Sequence, residues 1–407
     1  MNNPIIILKN FFTQTLEKYL FARAFVYSIL SYLFLRLFSS LVMLIGIIQP
    51  SPVAPYSAVS RAILINLETK SFFTRYFLAP WYRWDTIHYL EIADFGYDFD
   101  LVNTVWPPLY PFLIKIFDTI FHSSLLSAIL VSNIFFILSL FFLYVLASDL
   151  FDEVIAKKTL FFVITLSSSF FFIAGYSESL FLALSVGVFL FIKKQNWLLA
   201  GILAGLAALT RVQGVLLVIP IFLELLRKYY IDKNLWNLIK HSISCLYAPL
   251  AYGLFSIYVF LGLRADWPWQ TLTGYWDQRF GWPWEGFYST FFSLLGKNIN
   301  IDYTPSLVKV INILLPLISI YLLFKLRKKI PISLSIYSWI LLFMVIGKID
   351  YNNSFVSTTR YLLTVFPMFF ALAYFIKNKK ANLTWVLINI ILQIIFLVYF
   401  YWWVWVA

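Results

Sequence analysis

Residues 125–147 read LLSAILVSNIFFILSLFFLYVLA, twenty-three positions without one Asp, Glu, Lys or Arg. An α-helix rises about 1.5 Å per residue and the bilayer's hydrocarbon core is about 30 Å thick, so a run of this length and character predicts a membrane-crossing helix. Outward from it in both directions the pattern recurs. Ala24 to Ile48, Thr159 to Gly175, Leu180 to Ile192, Ser242 to Gly262, Leu307 to Phe324, Ile332 to Ile346, Tyr361 to Ile376 and Leu383 to Val406 are further apolar runs. Leu198 to Leu226 is too long for one span and carries Thr210-Arg211 at its middle. As a single helix it would bury Arg211 at mid-bilayer, so two short, tilted helices meeting near Arg211 are expected instead. The sum is an all-α, polytopic integral membrane protein of about eleven transmembrane helices.

Composition agrees. Of 407 residues 61% are hydrophobic and 21% aromatic, and the mean hydropathy is +0.82, well above soluble domains. No polar block is long enough to fold separately, so residues 1–407 read as a single membrane domain. The net charge of +12 raises the question of nucleic acid, which the location of the charge answers. Basic residues gather in alternate connections: Lys9, Lys18 and Arg23; Lys157 and Lys158; Lys193 and Lys194; Arg227, Lys228, Lys233 and Lys240; Lys325, Arg327, Lys328 and Lys329; Lys377, Lys379 and Lys380. These carry the whole positive excess, and the rest of the chain is neutral, with Arg36 inside the first span. Such asymmetry is the positive-inside pattern; it predicts a cytoplasmic N-terminus and implies no nucleic acid. The segment preceding Arg23 lacks the features of a cleaved signal and reads as part of a retained anchor. One cysteine, Cys245, excludes an intrachain disulfide and a cysteine-rich metal site.

Two large segments, 49–124 and 263–306, then fall outside the cytoplasm. Both are rich in Trp and Tyr, as expected beside lipid headgroups, and Trp267-Pro268-Trp269 and Trp282-Pro283-Trp284 read as turns. The first contains Trp81-Tyr82-Arg83-Trp84-Asp85-Thr86-Ile87-His88-Tyr89-Leu90-Glu91, followed by Gly96 and by Trp106-Pro107-Pro108-Leu109-Tyr110-Pro111. The pattern from Trp84 to Phe95 is helical, with Gly96 as its stop. Asp85, His88 and Tyr89 fall at i, i+3 and i+4 on one face, and Asp94 points nearly opposite. One carboxylate with a neighbouring imidazole suits a single base better than a retaining carboxylate pair. Asp85 also suits pairing with Arg83 or a helix cap. Asp98-Phe99-Asp100 has an Asp-x-Asp form, but no metal and no cofactor is expected.

These motifs resemble the PIG-V-like mannosyltransferases, which are GPI mannosyltransferase II and its bacterial relatives within the GT-C class. The resemblance rests on Arg83-Trp84-Asp85 with His88, Ile92 and Gly96-Tyr97, then Trp106 to Pro111, Tyr176 to Phe181, Thr210-Arg211 with Gly214, and Arg360-Tyr361 with Phe366-Pro367. It implies a GT-C-type bundle with a long first extracytoplasmic loop holding short helices and the catalytic acid. It also implies inverting transfer of a sugar, mannose by analogy, from a polyprenyl-phosphate-linked donor to a lipid or glycan acceptor among membrane lipids. On that reading Asp85 is the catalytic base, and Arg83, Trp84, His88, Glu178, Arg211 and Arg360 bind substrate. An arginine at a helix end presents a fork of donors matched to phosphate oxygens, although snorkelling to headgroups also accounts for such arginines. The competing classes are a polytopic transporter or lipid-linked-sugar flippase, and a scaffold subunit that keeps the fold without the activity.

Overall fold

The computed structural model describes residues 4–48, 58–296, 304–350 and 354–406. Five helical stretches are long and apolar enough to cross a membrane: Tyr19–Leu44, Ser124–Leu150, Leu235–Gly262, Ser306–Leu326 and Lys379–Tyr401. Shorter apolar helices, among them Trp197–Ala208 and Ile332–Ile346, fill the spaces between them. The protein is thus a helical integral membrane protein.

Ser124–Leu150 is the hub. It packs against Pro4–Ile48, Leu109–Phe121, Glu153–Thr165 and Glu178–Lys193. Glu178–Lys193 is buried on nearly every side, which is what a helix without a polar stripe requires. Side-chain caps begin several helices: Asp152 Oδ1 accepts from the Ile155 amide at 2.7 Å and Asn196 Oδ1 from the Leu199 amide at 3.1 Å.

Two expected spans are interrupted, the break expected near Arg211 is present, and each break has a physical reason. Where Thr159 to Gly175 was expected to be one helix, the helix ends at Thr165 and a buried irregular stretch follows, with one 3-10 turn at Ser169–Phe172. Non-helical backbone is tolerated at such depth when protein groups satisfy it. Ser168 Oγ donates to the Thr359 carbonyl at 2.9 Å, Ser179 Oγ to the Phe172 carbonyl at 2.5 Å, and Asn389 Oδ1 accepts from the Ser167 amide at 3.2 Å. Tyr361 to Ile376 divides likewise into Thr358–Tyr361, a 3-10 turn at Leu362–Thr364 and Pro367–Phe375. The stretch from Leu198 to Leu226 breaks after Ala208, and the 3-10 segment Val212–Leu217 packs back along Trp197–Ala208 before Val218–Asp232 begins. The reversal is tight. A Cβ on Gly214 would lie 2.2 Å from the Ala208 nitrogen, so only glycine fits.

The second large segment does not contain the turns expected at its Trp-Pro-Trp motifs. Each motif starts a helix, Pro268–Gly274 and Pro283–Leu294, with proline in the first turn where its missing amide costs nothing. Gln270 and Glu285 reach back to accept from the amides of Trp267 and Trp282 at 3.1 and 3.0 Å. Between them the strand Gln278–Phe280 pairs antiparallel with Lys348–Asp350. Residues 49–57 and 297–303 of the two expected loops lie outside the described residues.

The bundle has two chemically distinct ends. Glu178 and Lys193 stand at opposite ends of a 16-residue helix, about 22 Å apart by helical rise. Around Lys193 collect Asp149, Gln195, Glu224, Arg227, Lys228 and Ser333, linked by ion pairs and hydrogen bonds, and all but Asp149 line a cavity of about 530 Å³. Glu178 marks the other end.

Candidate active site

The Asp85–Phe95 helix forms as its sequence predicts, and Gly96 ends it at φ +81°, in the left-handed region that favours glycine. Its start is less ordinary. Trp84 holds φ 52° and ψ −126°, a conformation an L-residue adopts only when its surroundings impose it. The Trp403 and Trp405 rings pack on the Trp84 indole at 5.6 and 4.9 Å and supply that constraint.

Asp85 does not pair with Arg83. Its Oδ2 accepts from Arg360 Nη2 at 2.7 Å; Arg360 Nε lies 3.0 Å from Glu178 Oε1, which in turn accepts from Arg211 Nη1 at 2.6 Å. Two acids and two arginines, from positions spread between 85 and 360, thus make one continuous chain. Their side chains are 0 to 13% exposed. Burial pushes the Asp85 carboxyl upward, but the charge and hydrogen bond of Arg360, joined by His88 and Arg211, outweigh it and hold the group below the ordinary carboxylate range. Asp85 is therefore an ionised acceptor at neutral pH.

The arginines also stack. Arg211 sits 4.8 Å from the Tyr361 ring centroid, and Arg360 lies 5.0 Å from Tyr361 and 5.1 Å from Tyr176. Planar guanidinium suits such sandwiching, and each contact helps hold a buried cation. His88 is fixed from three directions: Nδ1 lies 2.9 Å from Asn103 Oδ1, Trp106 stacks at 4.5 Å and Trp276 meets it edge-on at 5.1 Å. Asn103 is itself held by Glu91 at 3.0 Å.

A cavity of about 470 Å³ opens over this chain, a volume in the ordinary range for ligand sites. Asp85, His88, Arg211 and Arg360 line it, with Trp84 as part of its wall. Glu178 lies beneath, fully buried, gripping the two arginines. Arg83 is not at the cavity. Its guanidinium donates to the carbonyls of Tyr401, Ala79 and Tyr82 at 3.0–3.1 Å, and burial lowers its pKa to about 10. It fastens the loop to the last long helix rather than facing a ligand.

Sequence reasoning did not single out Lys348, Trp276 or Trp405, and it named Tyr361 only within the Arg360-Tyr361 motif; all four line the cavity. One signal was available for Lys348: it follows an apolar run at the end away from the basic connections, where a lysine needs a local reason. Asp94, facing away from Asp85, accepts from Ser124 Oγ at 2.5 Å. Asp100 accepts from the Val102 amide at 3.1 Å, and among the described residues no three His, Cys, Asp or Glu side chains converge as metal ligands.

Parts of the chain are similar to known mannosyltransferases. Residues 105–260 match the family described as dolichyl-phosphate-mannose-protein mannosyltransferase. Over 141 residues the chain is 30% identical to GPI mannosyltransferase 2 of Schizosaccharomyces pombe, a match covering 33% of this chain and 30% of that relative. The crystal structure of the Archaeoglobus fulgidus oligosaccharyltransferase in complex with Zn and sulfate is similar at 15% identity, with a TM-score of 0.39 over 91% of this chain and 52% of that one. Both sequence matches are to mannosyltransferases, and each covers less than half of the chain.

Proposed function

We propose that this protein is an inverting glycosyltransferase that moves a sugar, mannose by analogy with its relatives, from a polyprenyl-phosphate donor to an acceptor hydroxyl on the extracytoplasmic face. The observation that carries the reading is the chain Asp85–Arg360–Glu178–Arg211 beneath one ligand-sized cavity. It puts a single ionised carboxylate next to forked cations, which is the pairing such a reaction needs. The acceptor oxygen attacks the anomeric carbon and its proton passes to Asp85. The bond from that carbon to the phosphate oxygen breaks, and its electron pair leaves with the polyprenyl phosphate. That leaving group needs charge stabilisation rather than a proton, which the arginines supply without moving far.

A carboxylate held by arginine is a weak base. A phosphate arriving at Arg360 competes with Asp85 for the same guanidinium, so donor binding itself raises the basicity of Asp85. Orientation follows from charge: the end bearing Lys193, Arg227 and Lys228 faces the cytoplasm, and the cavity faces away from it.

The test uses purified protein in lipid bilayers with radiolabelled polyprenyl-phosphate-mannose and candidate acceptors. Asp85→Asn is expected to lower kcat about 10²- to 10⁴-fold without raising donor KM, since it frees Arg360 for the phosphate. Undiminished transfer by Asp85→Asn would reject the base. Movement of the donor across the bilayer without transfer would favour the flippase.

A further inference from the structure

The cations around the cavity are not equivalent. Arg211 faces Glu178, Arg279 donates to Glu285 at 2.6 Å, and Arg360 faces both Asp85 and Glu178. Each already has its counter-ion. Lys348 lines the same cavity, yet among the described residues no carboxylate forms an ion pair with it. Its Nζ instead donates to the Tyr361 hydroxyl at 2.6 Å and lies 4.4 Å from that ring's centroid. Tyr361 is 7% exposed and is flanked on its other contacts by Arg211 and Arg360.

A half-buried ammonium without a counter-ion is costly unless something else brings negative charge. The arginines cannot offer their full charge to a ligand, because each is already opposed by a carboxylate. Lys348 can. A polyprenyl phosphosugar is a phosphodiester with one negative charge, and one unopposed cation balances it.

We propose that Lys348 is the residue that neutralises the donor's phosphate, and that Tyr361 is a positioning residue that holds the ammonium against the arginine pair. This rests on the phospho-donor reading of the cavity. It shifts the weight of phosphate recognition from the arginines to a lysine on the strand Lys348–Asp350. Arg211 and Arg360 then act on the charge that develops as the bond breaks, whereas Lys348 meets the charge the donor already carries.

The measurement is binding of farnesyl phosphate, and of uncharged farnesol, to the protein in lipid nanodiscs. It is followed by tryptophan fluorescence, since Trp84, Trp106, Trp276 and Trp405 line the cavity. Lys348→Met is expected to weaken farnesyl phosphate about tenfold or more while leaving farnesol unchanged, the size of a lost charge-assisted hydrogen bond. Lys348→Arg should restore most of the affinity, and Tyr361→Phe, which keeps the ring but removes the acceptor, should lose part of it. Equal farnesyl phosphate affinity in Lys348→Met and wild type overturns this inference and leaves the role of Asp85 standing. So does an equal loss for farnesol, which would make Lys348 structural. A wild-type protein indifferent to the phosphate would overturn the inference together with the phospho-donor reading beneath it.

Discussion

The two ends of this bundle use the same four residue types for opposite purposes. Around Lys193 the ion pairs are more open: Lys193 and Asp149 are 48 and 38% exposed, and Arg227 is 66% exposed although its partner Glu224 is only 13% exposed. Around Glu178 they are almost sealed, with aromatic rings above and below the guanidinium groups. Exposed pairs are worth about 0–1 kcal/mol because water and salt compete with them. In a buried chain each member depends on the next, and removing one strands a charge. What separates the two charged clusters is burial more than composition.

That contrast is easiest to break at its centre. Glu178→Gln removes the carboxylate shared by Arg211 and Arg360, leaving two buried cations with one acid between them. A loss of about 3–5 kcal/mol is expected, read as a fall in thermal unfolding temperature in detergent, and wild-type stability would show that the chain is not energetically linked. A smaller effect should appear in the pH profile. Asp85 is held low, so its ionised form persists through the neutral range and disappears only as pH falls through the depressed value. Arg360→Gln removes the main opposing charge and should move the acid limb of kcat/KM to higher pH, whereas Arg360→Lys should leave it nearer wild type. An unmoved limb in Arg360→Gln would mean that another group sets it. Smallest of all is the far end: Lys193→Ala should alter stability by less than about 1 kcal/mol, and a larger loss would erase the distinction between the ends.

Much of this was written in the sequence. Long uncharged runs and the alternation of basic connections suffice for a membrane bundle with two unlike ends, because both signals are local. The spacing of Asp85, His88 and Gly96 fixed a helix and its stop for the same reason. Partners were less visible. The arginine partner that the sequence offered Asp85 was its neighbour Arg83, yet the structure gives it Arg360, 275 positions away, and gives Arg83 three backbone carbonyls instead. Nothing local to a buried arginine says whether a carboxylate or a carbonyl awaits it. The breaks after Thr165 and around Leu362–Thr364 escaped notice because hydropathy records burial, and these segments are as buried as helix. The Trp-Pro-Trp motifs show the converse: proline marks a turn or a helix start equally well, and it took Gln270 and Glu285, three residues on, to decide.

The ribbon formed by Gln278–Phe280 and Lys348–Asp350 places Phe280 directly across from Lys348. The ammonium is thus tied at once to the apolar helix Ile332–Ile346 that precedes it and, through the ribbon, to the second large segment. A shift in either element moves a positive charge at the wall of the cavity.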